Sequence, residues 1–162
     1  MILVILGTQD KPFVRLLQAV ETLVQQEVIT DRIIVQAGMT KYSSELVEVF
    51  DLIPSDQFNN LINQADLIIT HGGVGSIITA LKNKKKVIAV ARLKEYGEHT
   101  NNHQVQIIEK FVSEGYILGI SDTSLLIDSL ISSKTFKPKE FNSNSAQVIN
   151  IIRNYINNLK KH

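Results

Sequence analysis

The chain contains no cysteine. That excludes a disulfide framework, a thiolate nucleophile and a cysteine-based zinc site, and it is consistent with a reducing cytoplasm. A surplus of one charge is also missing. Seventeen Lys and Arg face sixteen Asp and Glu, for a net charge of +1, which argues against a strongly basic nucleic-acid binder. No apolar run reaches the roughly 18 residues of a membrane span, so membrane contact is expected only through a partner. Met1 to Gly7 lacks the basic start and the length of a signal peptide and is expected to be the first core strand. With 162 residues, 44% of them hydrophobic, the chain is expected to form one domain, 1–162, around a sizeable core.

Apolar runs rich in Ile and Val recur at Ile2 to Leu6, Arg32 to Gln36, Val47 to Ile53, Leu67 to Thr70, Val87 to Ala91 and Tyr116 to Leu118. Several are apolar on both faces, as central parallel strands are. Helical patterns lie between most of them. Phe13 to Val24 follows Asp10 as a cap and Pro12 in the first turn, and Leu61, Ile62 and Ala65 follow Pro54. Further helices are expected after Ser76, over Asn102 to Val112 and over Ser124 to Ile131, whereas Gln36 to Leu46 resembles a loop. Alternating strands and helices predict an α/β fold: a single Rossmann-like domain with a mostly parallel sheet covered on both faces. Ser132 to Asn144 is expected to link into a last helix, about 145–159, with a stripe of Val148, Ile149, Ile152, Tyr155, Ile156 and Leu159 and with Ile151 off it. That stripe packs on the chain's own sheet or docks on another protein. The Lys82 to Lys86 run is expected to be a solvated helix end, with attraction to an anionic membrane as the second reading.

Ligands of open parallel sheets sit at the carboxyl ends of strands. Three polar loops have that polarity: Gly7 to Asp10, His71 to Ser76, and the long segment Arg92 to Gln104. In His71-Gly72-Gly73-Val74-Gly75-Ser76, glycines remove the Cβ atoms that keep a ligand from the backbone, and the following helix offers unpaired N–H groups to a phosphate or pyrophosphate. The loop is neither a dinucleotide fingerprint, because Ile78 holds the third glycine position, nor a P-loop, because no Gly-Lys-Ser/Thr follows. Glu98 can accept hydrogen bonds from a ribose diol, and Asn102 and Gln104 can fix a nucleotide's polar edges. His99, His103 and Glu98 have helix-like spacing that zinc would need, without a His-Glu-x-x-His motif. A flavodoxin-like or receiver-like domain would carry an acidic cluster after the first strand, where only Asp10 stands. No nucleophile elbow, local Ser-His-Asp set or Asp-x-Asp is present.

Gly7-Thr8, His71 to Ser76, and Glu98-His99 followed by Asn102-His103-Gln104 together resemble glycosyltransferase family 28. More closely, the chain resembles the small single-domain subunits that correspond to the C-terminal, donor-binding half of a GT-B enzyme. It is similar to two kinds: the catalytic subunit of the two-part N-acetylglucosaminyltransferase of dolichol-linked glycan synthesis, and the bacterial capsule or exopolysaccharide subunit described as a β-1,4-galactosyltransferase. The resemblance implies an inverting transferase with a UDP-sugar donor, galactose foremost, and a polyprenyl-diphosphate-linked acceptor. It implies that Gly72, Gly73, Val74, Gly75 and Ser76 hold the diphosphate and that Glu98 binds ribose or sugar hydroxyls. His99, Asn102, His103 and Gln104 would face the sugar and nucleotide, Gly7 and Thr8 would close the floor, and backbone near Leu52 to Phe58 would hold uracil. It implies no metal and no cofactor beyond the donor. A membrane-associated partner would supply the N-terminal half and recruit the chain to the cytoplasmic face of the membrane. His71 and His103 are the candidate bases within this chain, with a base on the partner as the alternative. Beside catalysis stands a second reading, a non-catalytic accessory subunit.

Overall fold

The computed structural model describes residues 1–159, without the side chains of Gln147, Asn154, Tyr155, Asn158 and Leu159. Six strands, β1 (Ile2–Ile5), β2 (Ile33–Gln36), β3 (Glu48–Phe50), β4 (Leu67–His71), β5 (Lys86–Val90) and β6 (Leu118–Ile120), form one sheet in the order β3-β2-β1-β4-β5-β6. Every pairing is parallel, with Val4 of β1 opposite Val35 on one side and Ile69 on the other. Alternation along each strand divides the core in two. Leu3, Ile5, Ile68 and Ala89 face α2 (Ser55–Gln64), α3 (Val74–Lys82), α4 (His103–Ser113) and α6 (Ala146–Leu159). Ile2, Val4, Ile69 and Val90 face α1 (Val14–Gln25) and α5 (Leu126–Thr135). Chain order reverses between β1 and β4, so the crevice of such a sheet opens beyond their carboxyl ends.

Boundaries differ from expectation where tertiary contacts outweigh local pattern. α1 starts at Val14 with no side-chain cap of its own; Thr40, from the loop before β3, accepts the Phe13 N–H at 3.0 Å, and Asp10 does not cap. The loop between β2 and β3 is irregular, as its composition suggests, and is tied down where Tyr42 and Ser44 donate to Glu21. β3 is shorter than its apolar run because it is an edge strand. β6 starts two residues later than expected: Gly115, at φ +77°, turns the chain out of α4, and Tyr116 is buried edge-on against Phe111 and Phe141 before pairing begins. α5 runs on through Thr135 into the segment expected to be a linker. Two of the lysines in the 82–86 run are structural. Lys85 Nζ donates to the Asn63 and Ala65 carbonyls that end α2, and Lys86 Nζ to the Ser133 and Lys134 carbonyls that end α5.

The last helix turns only part of its expected stripe inward, Val148 and the partly buried Ile152, together with Ile151 from outside the stripe. Val148 and Ile151 are buried against the sheet's core, while Ile149 and Ile156 are 42% and 44% exposed. Tyr155 and Leu159 of the expected stripe have side chains outside the described residues. Two apolar faces lie on one short helix, and packing on α4 selects the narrower. Ile151→Ala is therefore expected to cost about 2–5 kcal/mol by opening a cavity. Ile149→Ala should change stability by no more than about 0.5 kcal/mol. Urea unfolding of the two variants checks the assignment; the opposite ranking would invert the buried face.

Candidate functional site

A cleft of about 620 Å³ opens at the carboxyl ends of β1 and β4. Its floor begins at Gly7, whose φ of +72° excludes a side chain and whose Cα lies so close to His71 that a Cβ would meet the imidazole at 2.5 Å. One wall is the start of α3. The helix begins at Val74, two residues before Ser76, because Val74 buries its side chain in the core and Gly73 stands as an extended N-cap. Gly73 brings no side-chain cap, and its own N–H bonds the His71 carbonyl at 2.8 Å. Val74, Gly75 and Ser76, the first turn of α3, all line the cleft, so their N–H groups and the positive end of the helix dipole belong to it.

The glycines of this loop have different causes. A Cβ on Gly72 would strike Gln104 Cβ at 2.9 Å, and one on Gly73 would strike His71 Nε2 at 2.3 Å. Gly75 has neither a positive φ nor any atom within 4 Å of where its Cβ would be. Glycine in a helix is less favourable than alanine by roughly 1 kcal/mol, so nothing among the described residues accounts for Gly75.

His71 is packed beneath the loop. Its Nδ1 lies 3.3 Å from the Ile5 carbonyl, an arrangement in which Nδ1 donates and Nε2 carries the lone pair. Burial, helped by the positive charge of Arg92, lowers its pKa from 6.5 to about 4, and the ring is neutral at physiological pH. His99 lies on the opposite side. Asn101 donates its N–H to His99 Nδ1 at 3.2 Å, and His99 Nε2 lies 3.2 Å from Gln9 Nε2. This contact joins the loop after β1 to the loop after β5. Burial first, and Arg92 after it, holds His99 below the ordinary histidine range. His103 opens α4 with its N–H on Asn101 Oδ1 at 3.1 Å, and Gln104 Oε1 accepts the Arg92 N–H at 3.0 Å.

Of the residues singled out from sequence, Gly7, Thr8, His71, Gly72, Gly73, Val74, Gly75, Ser76, His99, His103 and Gln104 line this one cleft. Glu98 and Asn102 do not. The Glu98 carboxylate is buried on Arg15, and Asn102 Oδ1 accepts the Lys94 N–H. Of the Leu52 to Phe58 segment, Phe58 lines the cleft, while Leu52 is 65% exposed outside it. The structure adds Gln9, Thr100 and Asn101 from within the polar loops, Gln36 at the end of β2 and Thr79 on α3, none of which carried a sequence signal of its own. Arg92 and Arg15 were also missed. The only trace of Arg92 is a cation placed directly after an apolar strand. Among the described residues the cleft lining holds no carboxylate, lysine or arginine, and no group of three His, Asp or Glu could hold a metal ion.

The sign of the His71 effect is set by its lowered pKa. Between about 6.5 and about 4 the unfolded chain binds the proton and the folded chain does not, so stability falls as pH drops through that window, by on the order of 3 kcal/mol in full. The urea midpoint of the wild type should fall from about pH 7 to about pH 5 by more than that of His71→Asn, whose profile lacks this component. Equal slopes would refute a buried neutral His71.

The Glycosyltransferase family 28 C-terminal domain profile matches residues 1–159. The chain is 31% identical over 112 residues to the UDP-N-acetylglucosamine transferase subunit ALG13 of Candida glabrata, covering 67% of this chain and 52% of that one. It is 38% identical over 78 residues to the subunit of the same name from Saccharomyces cerevisiae, covering 48% of this chain and 37% of that one. The chain thus spans about half the length, or less, of these curated relatives. The solution NMR structure of ALG13 superposes with a TM-score of 0.61 and 25% identity over 94% of this chain and 92% of that one. The glycotransferase of kitacinnamycin shares the fold, with a TM-score of 0.60 and 16% identity over 100% of this chain and 40% of that one. With its six-stranded parallel sheet of the GT-B C-terminal type and a profile match over nearly its whole length, the chain belongs to glycosyltransferase family 28.

Proposed function

We propose that this protein is the donor-binding subunit of a UDP-sugar transferase. The observation that carries the reading is Gly75, a helix-weakening residue with open space where its Cβ would be, in the uncapped first turn of α3 on a cleft of nucleotide-sugar size. The diphosphate lies against that turn. Neutral N–H dipoles, rather than lysine or arginine, hold it there and stabilise it as it leaves. The nucleoside end extends toward Phe58 and Gln36, and the sugar end toward His99, His103 and Gln104.

In the reaction, the acceptor hydroxyl oxygen bonds to the anomeric carbon from the face opposite the diphosphate, the carbon–oxygen bond to UDP breaks, and the hydroxyl proton passes to a base. His71 is packed between Gly7 and Gly73, with Nδ1 against the Ile5 carbonyl. His103, half-buried on the cleft, is therefore the better-placed base within this chain, and a partner residue is the alternative. The relatives are named as subunits of a UDP-N-acetylglucosamine transferase, so N-acetylglucosamine takes precedence over galactose as the donor sugar. No relative named above supports capsule galactosyl transfer. The acceptor, a polyprenyl-linked glycan, is brought by a membrane-associated partner that completes the active site. The outward Ile149 and Ile156 of α6 suit such a partner, and no helix among the described residues is long and apolar enough to cross a membrane.

Calorimetric titration with UDP, UDP-N-acetylglucosamine and UDP-galactose, with NAD and ATP as controls, tests the reading. UDP-sugar binding without NAD or ATP binding supports it, and the tighter of the two sugars names the donor. Gly75→Ala should melt no lower than wild type, gaining up to about 1 kcal/mol, while its affinity for UDP falls about tenfold or more as the new methyl meets the phosphate. Unchanged UDP affinity in Gly75→Ala would remove the phosphate site from the start of α3. If UDP binds but Glu98 and His103 variants leave turnover with the partner unaltered, the protein is an accessory subunit.

A further inference from the structure

We propose that Glu98 and Arg15 form a clasp that positions the cleft-lining residues 99–104 for donor binding, and that Glu98 is a positioning residue which does not touch the donor. The inference rests on the donor-binding reading of the cleft. A ribose-binding carboxylate needs oxygens that face the ligand. Those of Glu98 are turned away and occupied: Oε1 accepts Arg15 Nε at 2.9 Å, and Oε2 accepts Arg15 Nη2 at 2.9 Å and the Leu93 N–H at 3.0 Å. The residue is 4% exposed and does not line the cleft.

Arg15 is held as firmly. Its Nη2 also donates to the Ala91 carbonyl and its Nη1 to the Ser121 carbonyl, each at 3.0 Å, just past the ends of β5 and β6. The guanidinium lies 4.7 Å from the Tyr96 ring centre and 5.4 Å from that of Phe13. Releasing Glu98 to a ligand would strip a partly buried cation of its bidentate partner, a costly exchange. The backbone around Glu98 is pinned as well, with its N–H on the Leu93 carbonyl at 3.1 Å and its carbonyl 3.4 Å from Arg92 Nη1. The next residues, His99, Thr100 and Asn101, enter the cleft directly. The clasp is thus the fixed end of the segment, and small displacements of positioning residues are felt as large losses.

A double-mutant cycle on the full chain tests this, using Arg15→Met, Glu98→Gln and the pair. UDP affinity is read by calorimetry, and amide hydrogen exchange over residues 99–104 is read without ligand. For the clasp, each single variant weakens UDP binding by about tenfold, the pair loses little more than either one, and exchange rises over the segment in all three. Arg15→Lys, which keeps the charge and loses the fork, should recover part of the affinity, and it serves in place of Arg15→Met if that variant does not fold. The proposal is overturned if the Arg15 variants bind UDP within about twofold of wild type while Glu98→Gln does not, since Glu98 then touches the ligand. It is equally overturned if exchange over 99–104 is unchanged. Wild-type chain that fails to bind UDP or either UDP-sugar would instead refute the donor-binding reading, and the exchange arm still judges the clasp.

Discussion

The carboxyl edge of this sheet depends on two guanidinium groups gathered around Phe13. Three irregular loops meet there, and irregular backbone leaves carbonyls that no ladder or helix satisfies. Arg92, 1% exposed, donates to the Leu6 and Lys11 carbonyls of the first loop and reaches the Glu98 carbonyl of the third. Arg15 takes the Ala91 and Ser121 carbonyls and the Glu98 carboxylate. Burying an arginine costs several kcal/mol of lost hydration, and Arg92 shows it: burial pulls its pKa down to about 10, and its buried Nε has no partner among the described residues. The planar forks, the Glu98 charge and the face of Phe13, 5.0 Å from Arg92, offset that cost. A lysine at either position would supply a point charge and would leave most of these carbonyls bare.

The same cations set the electrostatics of the cleft without entering it. Burial is the larger cause of the lowered pKa values of His71 and His99, and Arg92 adds to it at both. The imidazoles facing the cleft from these positions are neutral at physiological pH and offer lone pairs or single N–H donors rather than positive charge. On the donor-binding reading proposed above, attraction for the diphosphate falls to the N–H groups that begin α3. Such dipoles are fixed by the fold and need no reorganisation as charge builds on a leaving group. A site of this kind discriminates by position more than by charge, and position is what the two arginines control.

How far the sequence carried the reading follows from what local pattern can encode. β1 and β4 were legible because they are central, apolar on both faces and bounded by loops, and the three site loops were legible from their polarity relative to those strands. Edge elements were less so: β3 and β6 end where pairing ends, and Tyr116 belongs to an aromatic cluster that no periodicity announces. The start of α3 was misplaced because Ser76 resembles a cap while the burial of Val74 decides the matter. On α6 two apolar faces compete, and only the surface of the neighbouring helix chooses Val148 and Ile151. Glu98 shows the deeper limit. In sequence, a carboxylate in a polar loop is the same whether it faces a ligand or an arginine 83 positions away.

The glycines make the complementary point. Gly7, Gly72, Gly73 and Gly75 look alike in the sequence, and an argument from glycine content would give all four to the ligand. Three have causes inside the chain: backbone conformation and His71 at Gly7, α4 at Gly72, His71 at Gly73. Substituting any of these disturbs the fold before it disturbs binding, so loss of function there says little about a ligand. Gly75 alone has no internal cause, which makes it the informative position. Packing and dihedral angles account for the other three glycines but not for Gly75, and the space beside it is the cleft, which is why the proposed phosphate site is best tested there.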